Sequence, residues 1–174
     1  FRRLERLVWL LKIAGLDPSH QQGRIVRVLN DIDSVDAVDA MASLWIEAEL
    51  EREALASLRT QNFCGKHYSN PVLRRIEAAL AADPGPVHRN RVTVEHVLPR
   101  SPPRRSDWTR TFRTARDIAT NVNRLGNMTF LTSAENQLAD TADWNVKRPI
   151  LARSAFAITR RAAAAEVWDA AHIK

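Results

Sequence analysis

The sequence predicts a mainly α chain, a helical domain with a small strand–strand–helix unit set into its second half. Three observations carry this. Apolar residues recur at helical spacing through residues 1–80 and again from Trp144 onward. Two short β-branched runs, VTVEHVL and NMTFL, interrupt that pattern, and Ser133 can cap a helix directly after the second. At 174 residues and 45% hydrophobic content the chain can build a real core, yet no apolar run approaches the roughly 18 residues of a membrane span.

The elements follow in order. Phe1, Leu4, Leu7, Val8 and Leu11 line one helix face, which ends near Gly15. Asp17-Pro18 reads as a cap and a first-turn proline for a second helix carrying Ile25, Val28, Leu29 and Ile32. Ser34 is expected to cap a long third helix with Val38, Met41, Leu44, Trp45 and Ala48 inside, and Glu47, Glu49, Glu51, Arg52 and Glu53 outside. Asn70-Pro71 opens a fourth. The segment 82–90, ADPGPVHRN, reads as a loop. A strand follows until Pro99, then a helix from about Asp107 towards Thr120, a second strand from Gly126, and a short helix through Leu138. Two closing helices are expected, Trp144 to Ile158 and Arg160 to His172. This gives a helical lead-in over 1–82 and a second unit over 83–174 with its strand–strand–helix core at about 91–140.

Charge is distributed unevenly. Residues 1–87 hold 11 Lys/Arg against 12 Asp/Glu, and residues 88–174 hold 15 against 8. The positive excess therefore lies in the half that holds the strands, which points to a polyanion, nucleic acid before membrane. Six arginines, at 100, 104, 105, 110, 113 and 116, crowd the stretch after the first strand against one acid, Asp107. They suit phosphate contacts without base reading. A lone Cys64 excludes an internal disulfide framework and fits a reducing, cytoplasmic setting. Its C-x-x-H spacing to His67 lacks the further ligands of a zinc site. Trp108 is expected to be buried, although it could stack on a base. The chain opens on Phe1 rather than Met, as expected of a piece of a longer protein.

Glu95 and His96 stand back to back in the first run, beside a proline that stops it. Phosphodiester hydrolysis needs a base for water and a cation for developing charge, and these residue types suit both needs. Neighbouring strand residues face opposite ways, so convergence of the pair on one cavity requires the backbone to turn near Pro99.

EHVLP at 95–99, LGNMTFL at 125–131 and the asparagine of SAEN at 133–136 together resemble the HNH nuclease motif in its GmrSD-type C-terminal form. PVLRRIEAAL, Trp108 and WNVKRPILARSAFAITRRAAAAEVW extend the resemblance over residues 70–170. It implies a ββα-metal (HNH) unit. It also implies His96 as general base, Glu95 and Asn136 as ligands of one divalent cation, and Asn127 as the residue that holds the loop and orients the histidine. Lys147 would hold a substrate phosphate, beside the contacts that charge alone assigns to Arg100, Arg104, Arg105, Arg110 and Arg113. A carboxylate and an amide oxygen are hard ligands suited to Mg²⁺ or Mn²⁺, and the lack of a CxxC scaffold argues against a structural zinc.

The resemblance further implies a DNA endonuclease, a nickase, serving as C-terminal effector of a bacterial restriction or antiphage protein. Its partners would be double-stranded DNA and an N-terminal nucleotide-hydrolysing sensor domain of the same protein, with no membrane involved. The competing expectation is an HNH-like module that binds nucleic acid or docks the sensor without cutting.

Overall fold

The computed structural model describes residues 2–34, 37, 40–81 and 92–174. The expected loop at 82–90 lies outside them, as do Phe1, Val38, Arg91 and the expected boundary at 82/83. The chain forms two compact units, one up to Arg59 and one from Thr60. The fourth helix, assigned above to the lead-in, belongs to the second unit.

The first unit contains α1 (Arg2–Ala14), α2 (Pro18–Ser34), a 3-10 turn (Ala42–Leu44) and α3 (Ala48–Leu58). Leu7 and Leu11 of α1 meet Val28, Met41, Leu44 and Leu50 in one core. Gly15 ends α1 with φ +74°, a left-handed value that suits a residue without Cβ. Asp17 then caps α2 as expected, its Oδ1 accepting the His20 N–H at 3.0 Å.

The long third helix does not form. Ser34 closes α2 instead of opening a helix, its hydroxyl donating back to Asn30 O at 2.7 Å. The reason lies in Arg24, which is only 6% exposed. Its guanidinium takes the carbonyls of Ser43 (3.2 Å) and Trp45 (2.7 Å) and the Glu47 carboxylate (2.7 Å), so those carbonyls are withdrawn from a helical ladder. Trp45 turns outward, 65% exposed, while Met41 and Leu44 are buried as expected.

The second unit holds α4 (Ser69–Leu80), β1 (Val92–His96), α5 (Asp107–Thr111), α6 (Ala115–Val122), a 3-10 turn (Leu125–Asn127), β2 (Met128–Thr132), α7 (Ser133–Ala139), α8 (Trp144–Ala152), α9 (Ala157–Ala163) and α10 (Ala170–Ile173). β1 and β2 pair antiparallel with Val92 opposite Thr132 and His96 opposite Met128. α7 follows β2 without a linker and packs on both strands. Thr132 caps α7, in place of the expected Ser133, through a capping box with Glu135.

The single helix expected over 107–120 is two. Thr114 leaves the helical region and starts α6 with its own capping box to Asp117, the two hydrogen bonds each 3.0 Å long. The two closing helices are three. Glu77 of α4, 5% exposed, accepts the Ala157 and Ile158 N–H groups at 2.8 Å each, which fixes a fresh helix start at α9. Asp169 likewise caps α10, accepting from Ala171 N and His172 N. The core behind the strands collects Val97, Leu98, Trp108, Phe112, Leu131, Trp144, Leu151, Trp168 and Ile173. Trp108 is 1% exposed and its indole N–H donates to Ala142 O at 2.8 Å, so burial and not base stacking is its role.

Candidate active site

β1 stays regular through His96, so alternation separates Glu95 from His96. What joins them is Lys147 of α8. Its side chain has no exposure, and its ammonium donates to Glu95 Oε1 at 2.5 Å, to His96 O at 3.0 Å and to Val97 O at 3.3 Å. One buried cation thus holds a carboxylate and the two carbonyls at which the strand ends. Burial pushes Glu95 up and Lys147 down, and the attraction between them opposes both shifts. The phosphate contact implied for Lys147 finds no accessible charge there, because an ammonium has three donors and three protein oxygens take them.

His96 sits at the end of β1, half-buried. Burial, and then the positive charge of Arg100, push its pKa down from 6.5 to about 4; the Asn123 side chain opposes this and Lys147 adds to it. The ring is therefore neutral near pH 7, the form in which an imidazole can take a proton. Its Nε2 is buried without a hydrogen-bond partner.

Asn127 is fully buried and acts as a clamp. Its Oδ1 accepts the Leu98 N–H at 2.7 Å and the Trp168 indole N–H at 3.2 Å. Its Nδ2 donates to Leu98 O at 3.0 Å and Val122 O at 2.8 Å, and its own carbonyl accepts from Val97 N at 2.9 Å. Every contact lands on the segment after His96 or on the elements beside it. Gly126 precedes it because a Cβ there would overlap the carbonyl oxygen of Ile173.

Asn136 reaches β1 two residues before Glu95: its Nδ2 donates to Thr93 Oγ1 at 3.0 Å. Thr93 and Glu95 share a strand face, so α7 lies over the face that carries the carboxylate. Asp140, one helical turn beyond Asn136, is exposed, and its charge raises both Glu95 and Lys147. Among the described residues no three His, Cys, Asp or Glu side chains gather as a metal cluster.

The basic residues lie outside. Arg100, Arg104, Arg105, Arg110, Arg113 and Arg116 are all exposed, and Arg110 pairs with Asp107. Arg100 is the one that His96 feels, and its guanidinium also points to Cys64 Sγ at 3.9 Å.

The model of a family described as GmrSD restriction endonucleases, C-terminal domain, matches residues 50–174. The chain belongs to this family. No curated protein and no solved structure matches it. The GmrSD C-terminal match takes in the whole second unit, with both strands, the Asn127 clamp and Lys147. Membership carries an endonuclease, the effector part of a restriction enzyme, with DNA as its partner. Among the described residues no helix is long and apolar enough to cross a membrane.

Sequence reasoning missed Asn123, Thr93 and Asp140, which act on or lie next to Glu95, His96, Asn136 and Lys147. Two signals were present: Thr93 lies at i−2 from Glu95 on a strand, and Asp140 at i+4 from Asn136, just past the end of its helix. Nothing in the sequence distinguishes Asn123 from its neighbour Asn121.

Proposed function

We propose that the second unit is a divalent-metal-dependent HNH phosphodiesterase that nicks DNA as the cytoplasmic C-terminal effector of a restriction or antiphage protein. The observation that carries the reading is His96: a neutral imidazole at a strand end, with Glu95 the preceding residue on the opposite strand face and exposed Arg100 four residues on.

The residues present fit a hard cation. Lys147 occupies Glu95 Oε1, the His96 backbone N–H also acts on that carboxylate, and the Asn136 amide donates through nitrogen to Thr93, which leaves its oxygen as a ligand. Asp140 supplies a second carboxylate whose charge acts on both Glu95 and Lys147. Glu95 and Asn136 would hold Mg²⁺ or Mn²⁺, with water completing the shell. The cation supplies charge for the phosphorane and the leaving oxygen.

His96 takes a proton from water as the water oxygen bonds to phosphorus and the bond to the leaving sugar oxygen breaks. Asn127 and Lys147 hold the His96–Leu98 backbone, so that the ring is presented from a fixed support. Arg100 binds a phosphate oxygen, and Arg104, Arg105, Arg110 and Arg113 follow the DNA backbone without reading bases. Sensing of modified DNA falls to a nucleotide-hydrolysing N-terminal domain of the same protein.

A second reading draws on the Glu95–Lys147 pair, which already half-neutralises the proposed metal ligand: a module that grips DNA without cutting. Relaxation of supercoiled plasmid separates the two. Nicking that needs Mg²⁺ or Mn²⁺, stops with EDTA and disappears in His96→Ala is expected. Nicking that survives His96→Ala removes the base, and salt-sensitive DNA binding with no nicking in the full-length protein favours the module.

A further inference from the structure

His96 and Asn123 each bury one polar atom without a partner, the ring Nε2 and the amide Oδ1. The Asn123 side chain acts on the His96 ring, and the segments that carry the two are tied together. Asn127 Nδ2 donates to both Leu98 O and Val122 O, at 3.0 and 2.8 Å, which ties the segment after His96 to the end of α6. Asn123 is the next residue there, and its backbone carbonyl accepts the Cys64 N–H at 3.0 Å. Arg100 reaches the same Cys64 through its sulfur at 3.9 Å, so the surroundings of the ring close on themselves.

The chemistry of the two orphans is complementary. A neutral imidazole carries one N–H donor and one acceptor nitrogen, and a side-chain amide oxygen can only accept. Buried polar atoms are nearly always paired, and an acceptor next to Nε2 is satisfied only if Nε2 carries the hydrogen. Of the groups that act on the ring, the Asn123 side chain is the one that favours its proton, as an acceptor oxygen should.

We infer that Asn123 is a positioning residue whose amide oxygen accepts the Nε2–H of His96, fixing the tautomer that leaves the lone pair on Nδ1. The nitrogen that carries the proton is set by the partner of the other nitrogen. Nδ1 is then the atom that receives the proton from water. This last step rests on the proposed function; the pairing itself does not.

The test is the ring tautomer, read by long-range ¹H–¹⁵N correlation on the chain labelled with ¹⁵N-histidine, near pH 7. His96 is assigned by the signal that disappears in His96→Gln. The wild type is expected to show the single Nε2–H form. In Asn123→Ala the two ring nitrogens converge toward a tautomer average, while His20, His67 and His172 stay unchanged. Asn123→Asp, which keeps an acceptor oxygen, restores the Nε2–H form. An Nδ1–H ring in the wild type, or the same tautomer in Asn123→Ala, overturns the inference; the wild-type reading decides alone should that variant lose the Trp168 indole signal of the folded state. In plasmid nicking, Asn123→Ala is expected to lower kcat roughly ten- to hundredfold, the scale for outer hydrogen-bond partners of site histidines, with KM for DNA and the Mg²⁺ dependence unmoved. A wild type that nicks nothing sinks the nuclease reading and leaves the tautomer to judge the pairing.

Discussion

Lys147 Nζ lies 2.5 Å from Glu95 Oε1, and the lysine side chain is wholly buried. Fifty-two residues of chain separate the two partners, so this pair ties α8 to the end of β1. Taking both charges out of water is costly, and the pair persists because each compensates the other. Removing only the lysine leaves a buried carboxylate with no counter-charge. Lys147→Met is therefore expected to destabilise the second unit by about 3–5 kcal/mol, and Glu95→Gln added to it should recover part of that stability. Urea denaturation of the wild type, Lys147→Met, Glu95→Gln and the double variant checks this; additive effects would mean that the two side chains do not interact.

The buried imidazole sets a pH dependence. Folded His96 takes up its proton near pH 4, whereas the unfolded chain takes it up near 6.5. Between those values the unfolded state binds more protons, so stability falls as the pH drops from about 6.5 towards 4 and His96 adds no slope outside that window. Urea midpoints at a series of pH values should show this fall in the wild type and a shallower one in His96→Gln. Identical slopes would place the ring in water.

Gly126 has no positive φ to explain it; closeness does. A methyl group there must displace the Ile173 carbonyl and with it α10. Gly126→Ala is expected to cost about 1–3 kcal/mol, the range for overpacking, and to raise amide exchange in Ala170–Ile173 first. Unchanged protection of those amides would contradict the close approach.

The exposed arginines make a prediction about salt. Each arginine that no longer neutralises a phosphate should reduce the slope of log K against log salt by about 0.9. Arg104→Ala with Arg105→Ala is expected to flatten that slope and weaken all DNA sequences alike, as measured by fluorescence anisotropy with a DNA duplex. Weakening confined to one sequence would mean base reading instead.

Much of this was legible in the residues. The strands at TVEH and MTFL, the capped turn at Asp17-Pro18 and the helix read from Asn70-Pro71, which starts one residue earlier at Ser69, rest on local rules, since propensity and caps act within a few positions. EHVLP, LGN and SAEN pointed to the right family for the same reason, because a local motif keeps its spacing. The errors share a cause. Ser34 looked like a cap and 107–120 like one helix, but Arg24 and Thr114 redirected the backbone, the first from a different element.

The sequence by itself determined the mainly helical class, the place of the two strands, the basic second half and the family. Only the tertiary structure decided what the charged groups face. It buried Lys147 against Glu95, made Asn127 a clamp on Leu98 and Val122, and brought the Asn123 side chain to act on His96. The physical reason is range: periodicity and capping are fixed by neighbours along the chain, whereas desolvation and hydrogen-bond partners depend on segments brought together from far along it.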